Sequence, residues 1–330
     1  MIQTECYSNI CEEPDVEIIC PLCGSPNAVE IIRCSSEDIF LQLEKILKVS
    51  FPESIKHAYS TLPFILLECC NCRLQFFQGL PGGDEAFYQV CAASSQYYSE
   101  KWEFDSVLSK SRLLCRGMEV LDIGCGSGKF LKMAGEVGMK ATGLEFNLRL
   151  VEEDRKNKLD VLAMSAKELF ENTDRRFDVV TCFHVLEHVK EPLLFMNEMA
   201  CLLKKGGVIF VAVPFRNSLL NQMFEENPMD WPPHHLTRWD LPQLELLGQK
   251  AGLQKCYEEH DHYYNYMGYQ IREALLRQIF RQSNTTLLWR LFDRGLSIVV
   301  NRYTGKIWLT LLPRSIMPIF HSVLFGFRKP

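Results

Sequence analysis

The stretch "MEVLDIGCGSGKFLKMAGEVGMKATGLEFN", residues 118–147, decides the fold. Val120 to Ile123 form a short apolar run, predicted as a strand, that enters a glycine loop. Beyond the loop, Phe130, Leu131, Ala134 and Val137 recur at helical spacing and predict an amphipathic helix with these residues on its inward side. Gly124, Gly126 and Gly128 let the backbone turn sharply and approach a ligand closely, and the helix start offers free N–H groups. A second strand, "KATGLEF", delivers Glu145 at its carboxyl end, twenty-one positions after Gly124. In a doubly wound α/β sheet an acid at that place reaches the two ribose hydroxyls of a bound nucleoside.

Two cofactor classes fit this outline. The dinucleotide fingerprint wants G-x-G-x-x-G/A, and its last position here is Lys129, so close helix packing over a pyrophosphate is not provided. The loop G-x-G-x-G suits a ligand without phosphates. Three further pieces follow in order: "RRFDVVTCFHVLEHV" (175–189), a fourth strand ending in His184; "LLKKGGVIFVAVP" (202–214), a Lys-Gly-Gly turn into a fifth strand; and "LPQLELLGQKAGL" (241–253), the helix after it.

With these motifs in that order, the chain resembles class I S-adenosylmethionine-dependent methyltransferases over roughly residues 95–260. The resemblance implies an α/β, Rossmann-like, seven-stranded sheet with a reversed last hairpin, and S-adenosyl-L-methionine as cofactor. It places Asp122, Gly124, Cys125, Gly126 and Gly128 near the methionine part and Glu145, followed by Phe146, at the ribose. Ser165 and Ala166 of "AMSAKELF" fall at the adenine edge, and Phe183 or His184 near the methionyl end. "YYSEKWEFD" (97–105) and "PPHHLTRW" (232–239) narrow the likeness to bacterial methyltransferases that include C-methyltransferases of deoxysugar biosynthesis. In those enzymes the histidine matching His235 serves as base, the position of His234 is usually acidic, and the histidine matching His188 lies at the active site.

The first ninety residues read differently. "CPLCGS" (20–25) and "CCNCRLQFF" (69–77) each hold a CxxC turn, and four thiolates from two such knuckles give the closed tetrahedral shell that structural Zn2+ prefers. Cys20, Cys23, Cys69 and Cys72 are the expected ligands, with Cys70 and Cys34 as alternatives for the fourth position. The 45 residues between the knuckles exceed usual zinc spacings and contain a helical pattern, "DIFLQLEKILKV", read as an insertion. Free core cysteines and a redox CxxC are the competing readings. Fourteen cysteines in a chain without an apolar leader or any long apolar run suggest a cytoplasmic protein that uses clustered thiols for metal rather than for disulfides. The expected division is an N-terminal extension at 1–15, a zinc-binding module at 16–90 and a methyltransferase domain at 91–330.

"DWPPHHLTRWD", residues 230–240, is the expected catalytic loop. Pro232 and Pro233 stiffen it. Asp240 with Gln243 predicts a capping box for a helix Leu241 to Ala251, Trp239 a staple onto Leu244, and Gly252 the far end. Histidine suits a methyl transfer whose nucleophile must lose a proton, because its pKa lies near neutrality. The bland reading is a histidine that bonds a backbone carbonyl; for His188 packing is the favoured role. Residues 262–320 carry eight basic against two acidic side chains and form a helical insertion between the last two strands, read as a cap rather than a membrane-skimming surface.

Three functions follow. The leading one is an enzyme methylating a small-molecule acceptor such as a nucleotide-linked sugar or natural-product intermediate. The second is an RNA methyltransferase. Residues 12–90 hold twelve acids against five bases, which disfavours a nucleic-acid partner, since phosphate contacts need Lys and Arg. The third is a non-catalytic module that binds S-adenosylmethionine. The sequence leaves oligomeric state open.

Overall fold

The computed structural model describes residues 18–60, 63–77, 79–94, 101–110, 116–216, 228–260 and 322–330. The extension at 1–15 and the insertion at 262–320 lie outside these residues. In the N-terminal part the elements are β1 (Ala28–Cys34), α1 (Ser36–Leu47), α2 (Glu53–Tyr59), β2 (Phe64–Cys69), β3 (Gln75–Phe77) and α3 (Glu85–Ala92). The helical pattern between the knuckles is α1, capped by Ser35, whose side chain accepts from the Asp38 N–H. Its buried face, Ile39, Phe40, Leu43 and Leu47, packs with Phe51, Phe64, Phe87 and Trp231.

The second part begins with α4 (Trp102–Asp105) and continues β4 (Glu119–Ile123), α5 (Lys129–Glu136), β5 (Lys140–Leu144), α6 (Leu148–Lys156), β6 (Asp160–Leu162) and α7 (Ala166–Asn172). After β7 (Phe177–Phe183), α8 (Pro192–Leu202) and β8 (Leu203–Pro214) come β9 (Thr237–Arg238), α9 (Leu241–Lys250), β10 (Gln254–His260) and β11 (Ser322–Arg328). Seven strands form one sheet in the order β10-β11-β8-β7-β4-β5-β6. Strands β4 to β8 run parallel to one another, whereas β11 runs antiparallel to both β8 and β10. That is the reversed last hairpin.

The central strands are apolar on both faces because helices cover both. Leu121, Val180, Ile209 and Val211 face one layer with Met196, Met199, Leu244 and Leu247. Val120, Val179, Phe210 and Ala212 face the other with Phe104 and Phe130. Each fully buried aliphatic or aromatic side chain there contributes about 1.5–3 kcal/mol of transfer energy.

The two parts are joined by a second sheet, ordered β1-β2-β3-β9. Its last strand comes from the 230–240 loop: Gln75 pairs with Arg238 and Phe76 with Thr237. The Arg238 guanidinium lies over the rings of Phe77 and Trp231. Cys20, Leu22, Cys69 and Phe76 share one apolar cluster with Trp239, Leu244 and Leu247.

Three local expectations are corrected. Phe130, Leu131 and Ala134 are buried as expected, but Val137 sits past the end of α5 and is 49% exposed. The Asp240/Gln243 capping box does not form; Asp240 is the N-cap of α9 without a side-chain cap bond. Its carboxylate instead meets Arg216 at 3.1 Å, and Gln243 Nε2 donates to the Cys72 carbonyl at 2.7 Å. Arg216 also reaches Glu68 Oε2 at 3.2 Å, so these capping residues are recruited to hold the two parts together. The Lys-Gly-Gly segment is an irregularity within β8, between the pairs Phe177/Leu203 and Val179/Val208, rather than a turn before it.

Candidate active site

The glycine loop leaves β4 at Gly124, with φ of 71°, and enters α5 through Gly128, the N-cap, with φ of 64°. A side chain at Gly124 would put its Cβ 2.5 Å from Val185 Cγ2, and one at Gly128 would come within 2.4 Å of Leu159 Cδ1. Positive φ and close approach together require glycine at both places. The Gly124 and Cys125 N–H groups both donate to the Leu144 carbonyl, which pins the loop to the end of β5. Cys125 is buried beneath the loop against Leu131 and Val151.

Glu145 follows β5 and spans the loop mouth. Its Oε2 accepts from the Gly126 N–H and its Oε1 from the Asn147 N–H, each at 2.9 Å. Phe146 beside it is 69% exposed. Asp122 is buried under the loop, where its Oδ1 accepts from the Thr181 hydroxyl at 2.7 Å and burial pushes its pKa up to about 7. Ser165 caps α7 through a reciprocal bond with Glu168, so its hydroxyl serves the helix start, and Ala166 packs in the core.

The exit of β7 links this loop to the histidines. Val185 touches Gly124; His184 precedes it with φ of 56°, a strained value for a side chain of that size. His184 Nε2 lies 2.9 Å from Glu103 Oε1, and its Nδ1 lies 3.6 Å from Glu187 Oε1. Burial lowers the pKa of His184, but the Glu103 carboxylate outweighs it and lifts it to about 9. Phe183 packs against Phe104 and Phe130 within the sheet's other face.

His188 ends a short 3-10 turn at Leu186–His188 and meets the 230–240 loop. Its ring centroid is 4.8 Å from that of His234 and 4.8 Å from that of His235, while His234 and His235 stack at 4.4 Å. His235 Nδ1 donates to Asp230 Oδ1 at 3.1 Å, and His234 Nδ1 to the Met229 carbonyl at 2.8 Å. His188 Nδ1 faces the His234 carbonyl and lies 3.0 Å from the Tyr88 hydroxyl. Burial depresses the His188 pKa to about 4 and that of His234 well below its ordinary range. Glu187 is buried among them; burial raises its pKa, but His184, His188 and His235 hold it at about 2. Glu187, Asp230, Glu103 and Tyr88 escaped the sequence reading, although Glu187 and Asp230 stand within five residues of histidines it had singled out.

The loop that bears His234 and His235 reaches the cysteine-bearing part through the pairing of β9 with β3. Cys20 Sγ lies 3.5 Å from Cys72 Sγ, and Cys23 Sγ 3.5 Å from Cys69 Sγ. All four sulfurs fall within 4.8 Å of one another. The Asn71 and Cys72 N–H groups both point at Cys69 Sγ, at 3.4 and 3.5 Å. Cys70 is exposed and Cys34 packs in a different cluster, so neither alternative joins the group.

Residues 102–258 match the family described as "Methyltransferase domain". The "Ubiquinone biosynthesis O-methyltransferase" of Xanthomonas campestris is 33% identical over 108 residues, 31% of this chain and 45% of that protein. The protein of the same name from Vibrio vulnificus is 34% identical over 119 residues, 34% of this chain and 50% of that one. The chain thus spans about half the length of these relatives. A solved SAM-dependent methyltransferase from Archaeoglobus fulgidus aligns with a TM-score of 0.44 and 20% identity, over 65% of this chain and 86% of that one. Residues 102–258 thus carry a methyltransferase domain built on the strand order described above. Among the described residues no helix is long and apolar enough to cross a membrane.

Proposed function

We propose that the protein transfers a methyl group from S-adenosylmethionine to a small-molecule acceptor, with His235 as the general base. The observation that carries the reading is the buried His235–Asp230 pair, in which Asp230 accepts from Nδ1 and leaves Nε2 as the basic nitrogen. Val185 packs on Gly124, and His188, three residues on, stands 4.8 Å ring to ring from His235, so the base lies beside the segment that touches the glycine loop.

The residues around the loop fit the cofactor. Glu145 stands at the end of β5 for the ribose, and Phe146 offers an exposed ring beside it. When bound, the cofactor supplies a sulfonium-borne methyl group for in-line displacement. Glu145 exchanges its bond to the Gly126 N–H for the ribose hydroxyls, and the histidines at the sheet's carboxyl edge hold the acceptor. Alignment and water exclusion supply most of the rate, and His235 takes the proton that the acceptor loses. Asp230 fixes the ring and stabilises the imidazolium as it forms, as a carboxylate does behind a catalytic histidine.

The four-cysteine cluster fits structural Zn2+. A tetrahedral site with Zn–S bonds of about 2.3 Å needs sulfurs about 3.8 Å apart, close to the separations present, and amide N–H groups already face one sulfur. Bound there, the ion would brace β2 and β3 against α9 through the Cys72 carbonyl and Gln243.

Incubation of the protein with methyl-labelled cofactor and fractionated metabolites tests the activity. Label should enter a small-molecule fraction and depend on His235; transfer to RNA instead, or none to any fraction, would overturn the reading.

A further inference from the structure

The three histidines carry more than a base. Each commits its Nδ1 to an oxygen: His188 to the His234 carbonyl, His234 to the Met229 carbonyl at 2.8 Å, and His235 to Asp230 Oδ1 at 3.1 Å. A ring whose Nδ1–H is donated in this way presents its lone pair at Nε2, and this carbonyl or carboxylate backing is what orients histidines that ligate metal. The three residues come together so that one ring nitrogen from each lies within 4.8 Å of the others. A carboxylate also faces the cluster. Glu187 is 1% exposed, and its Oε1 stands 3.9 Å from His235 Nε2. His184 Nδ1 lies 3.6 Å from the same oxygen and partly balances it, so Glu187 adds negative potential beside the three rings without depending on a metal for its own charge balance.

We propose that His188, His234 and His235 form a second metal site, which takes Zn2+ or another first-row divalent transition metal and uses Glu187 as the neighbouring counter-charge. Three imidazoles suit Zn2+, Ni2+ or Co2+ and disfavour Mg2+ and Ca2+, which require oxygen ligands. Tetrahedral Zn–N bonds of about 2.0–2.1 Å place ligand nitrogens about 3.4 Å apart, so separations of up to 4.8 Å close by up to about 1.4 Å on loading. The proposal deepens the reading of His235 as base. Nδ1 of His235 is engaged by Asp230, so proton transfer and metal ligation both use Nε2 and exclude each other. A loaded site is therefore an inhibited one, and metal availability regulates the same histidine that performs the chemistry.

The test uses the whole protein, stripped of metal by a chelator, and Co2+ as probe. About two equivalents per chain should bind, one with the intense sulfur-to-metal charge-transfer band of a thiolate site and one with only the weak visible bands of an imidazole site. His188→Gln and His234→Gln should each remove the second equivalent and leave the charge-transfer band intact, which also shows that the chain still folds. X-ray absorption on the wild type loaded with both equivalents should show imidazole scattering. A single equivalent carrying the sulfur band, with no imidazole signal, overturns the metal site and leaves His235 as base untouched. Binding of the second equivalent with methyl transfer unimpaired confirms the site and overturns the base assignment instead.

Discussion

The cysteine cluster and the histidine cluster lie on either side of one short strand pairing, β3 with β9, yet they are built in opposite ways. The cysteines come from two tight turns, Cys20–Cys23 and Cys69–Cys72, each closed by its own backbone bonds, from Gly24 N–H to the Cys20 carbonyl and from Arg73 N–H to the Cys69 carbonyl. Only the meeting of the two turns needs the fold. The histidines add a distant partner to local order: His234 and His235 are oriented by the Met229 carbonyl and the Asp230 carboxylate of their own loop, whereas His188, closing a 3-10 turn after β7, is oriented by the His234 carbonyl 46 positions away. Spacing can announce the first kind of site, whereas the second exists only when distant segments meet.

Breaking the cysteine side should have the largest effect. Cys69→Ser removes one proposed zinc ligand, and thermal unfolding with elemental analysis should show loss of the metal and a destabilisation on the order of 5 kcal/mol or more, since structural zinc contributes folding energy outright. An unchanged melting temperature would mean that the thiols are ordinary core cysteines. On the histidine side, His235→Ala should lower turnover by about 10²–10⁴-fold while cofactor affinity stays within about twofold. Loss of folding in that variant would make His235 a packing residue.

The next effect sharpens the comparison at the glycine loop, the other locally encoded site. Glu145→Ala deletes a charge-assisted acceptor and should weaken cofactor binding by roughly 10- to 100-fold, measured by calorimetry. Equal affinity would remove Glu145 from the ribose.

A smaller effect concerns His184, whose raised pKa is a stability statement. Its folded value of about 9 lies above the ordinary 6.5, so the stabilisation is fully present below pH 6.5 and is lost as pH rises through about 9. Melting temperatures across that interval should fall in the wild type and flatten in Glu103→Gln; parallel curves would contradict the pairing. Smallest of all, Gln243→Ala removes the bond to the Cys72 carbonyl and should cost about 1 kcal/mol in a denaturant titration, the measure of a single link between the two parts.

Much of this was legible beforehand for a physical reason. The run Val120–Ile123, the glycines at 124, 126 and 128, and Glu145 after the next strand all lie within thirty residues, where period, backbone freedom and chain direction fix the geometry. The CxxC knuckles are shorter still. The misreading at the start of α9 fell where residues had two partners to choose from. Asp240 and Gln243 have the spacing of a capping box, but Arg216 and the Cys72 carbonyl compete for them across the junction. Val137 keeps the helical period, but α5 ends before it. Ser165, expected at the adenine edge, also caps the start of α7.

By itself the sequence determined the class of sheet, the glycine loop and both thiol turns, because each is set by residues close enough in the chain for local sterics and periodicity to decide. Tertiary structure alone decided that the loop at 230–240 serves as the fourth strand of the N-terminal sheet and that His188, 46 positions before His234, stands against it. It also placed Glu187, Asp230 and Glu103 behind the histidines. The strand pairing and the meetings of His188 with His234, Glu103 with His184 and Glu187 with His235 join segments far apart in the chain, fixed by which buried charges and apolar faces must be satisfied together, and no spacing within one segment encodes them.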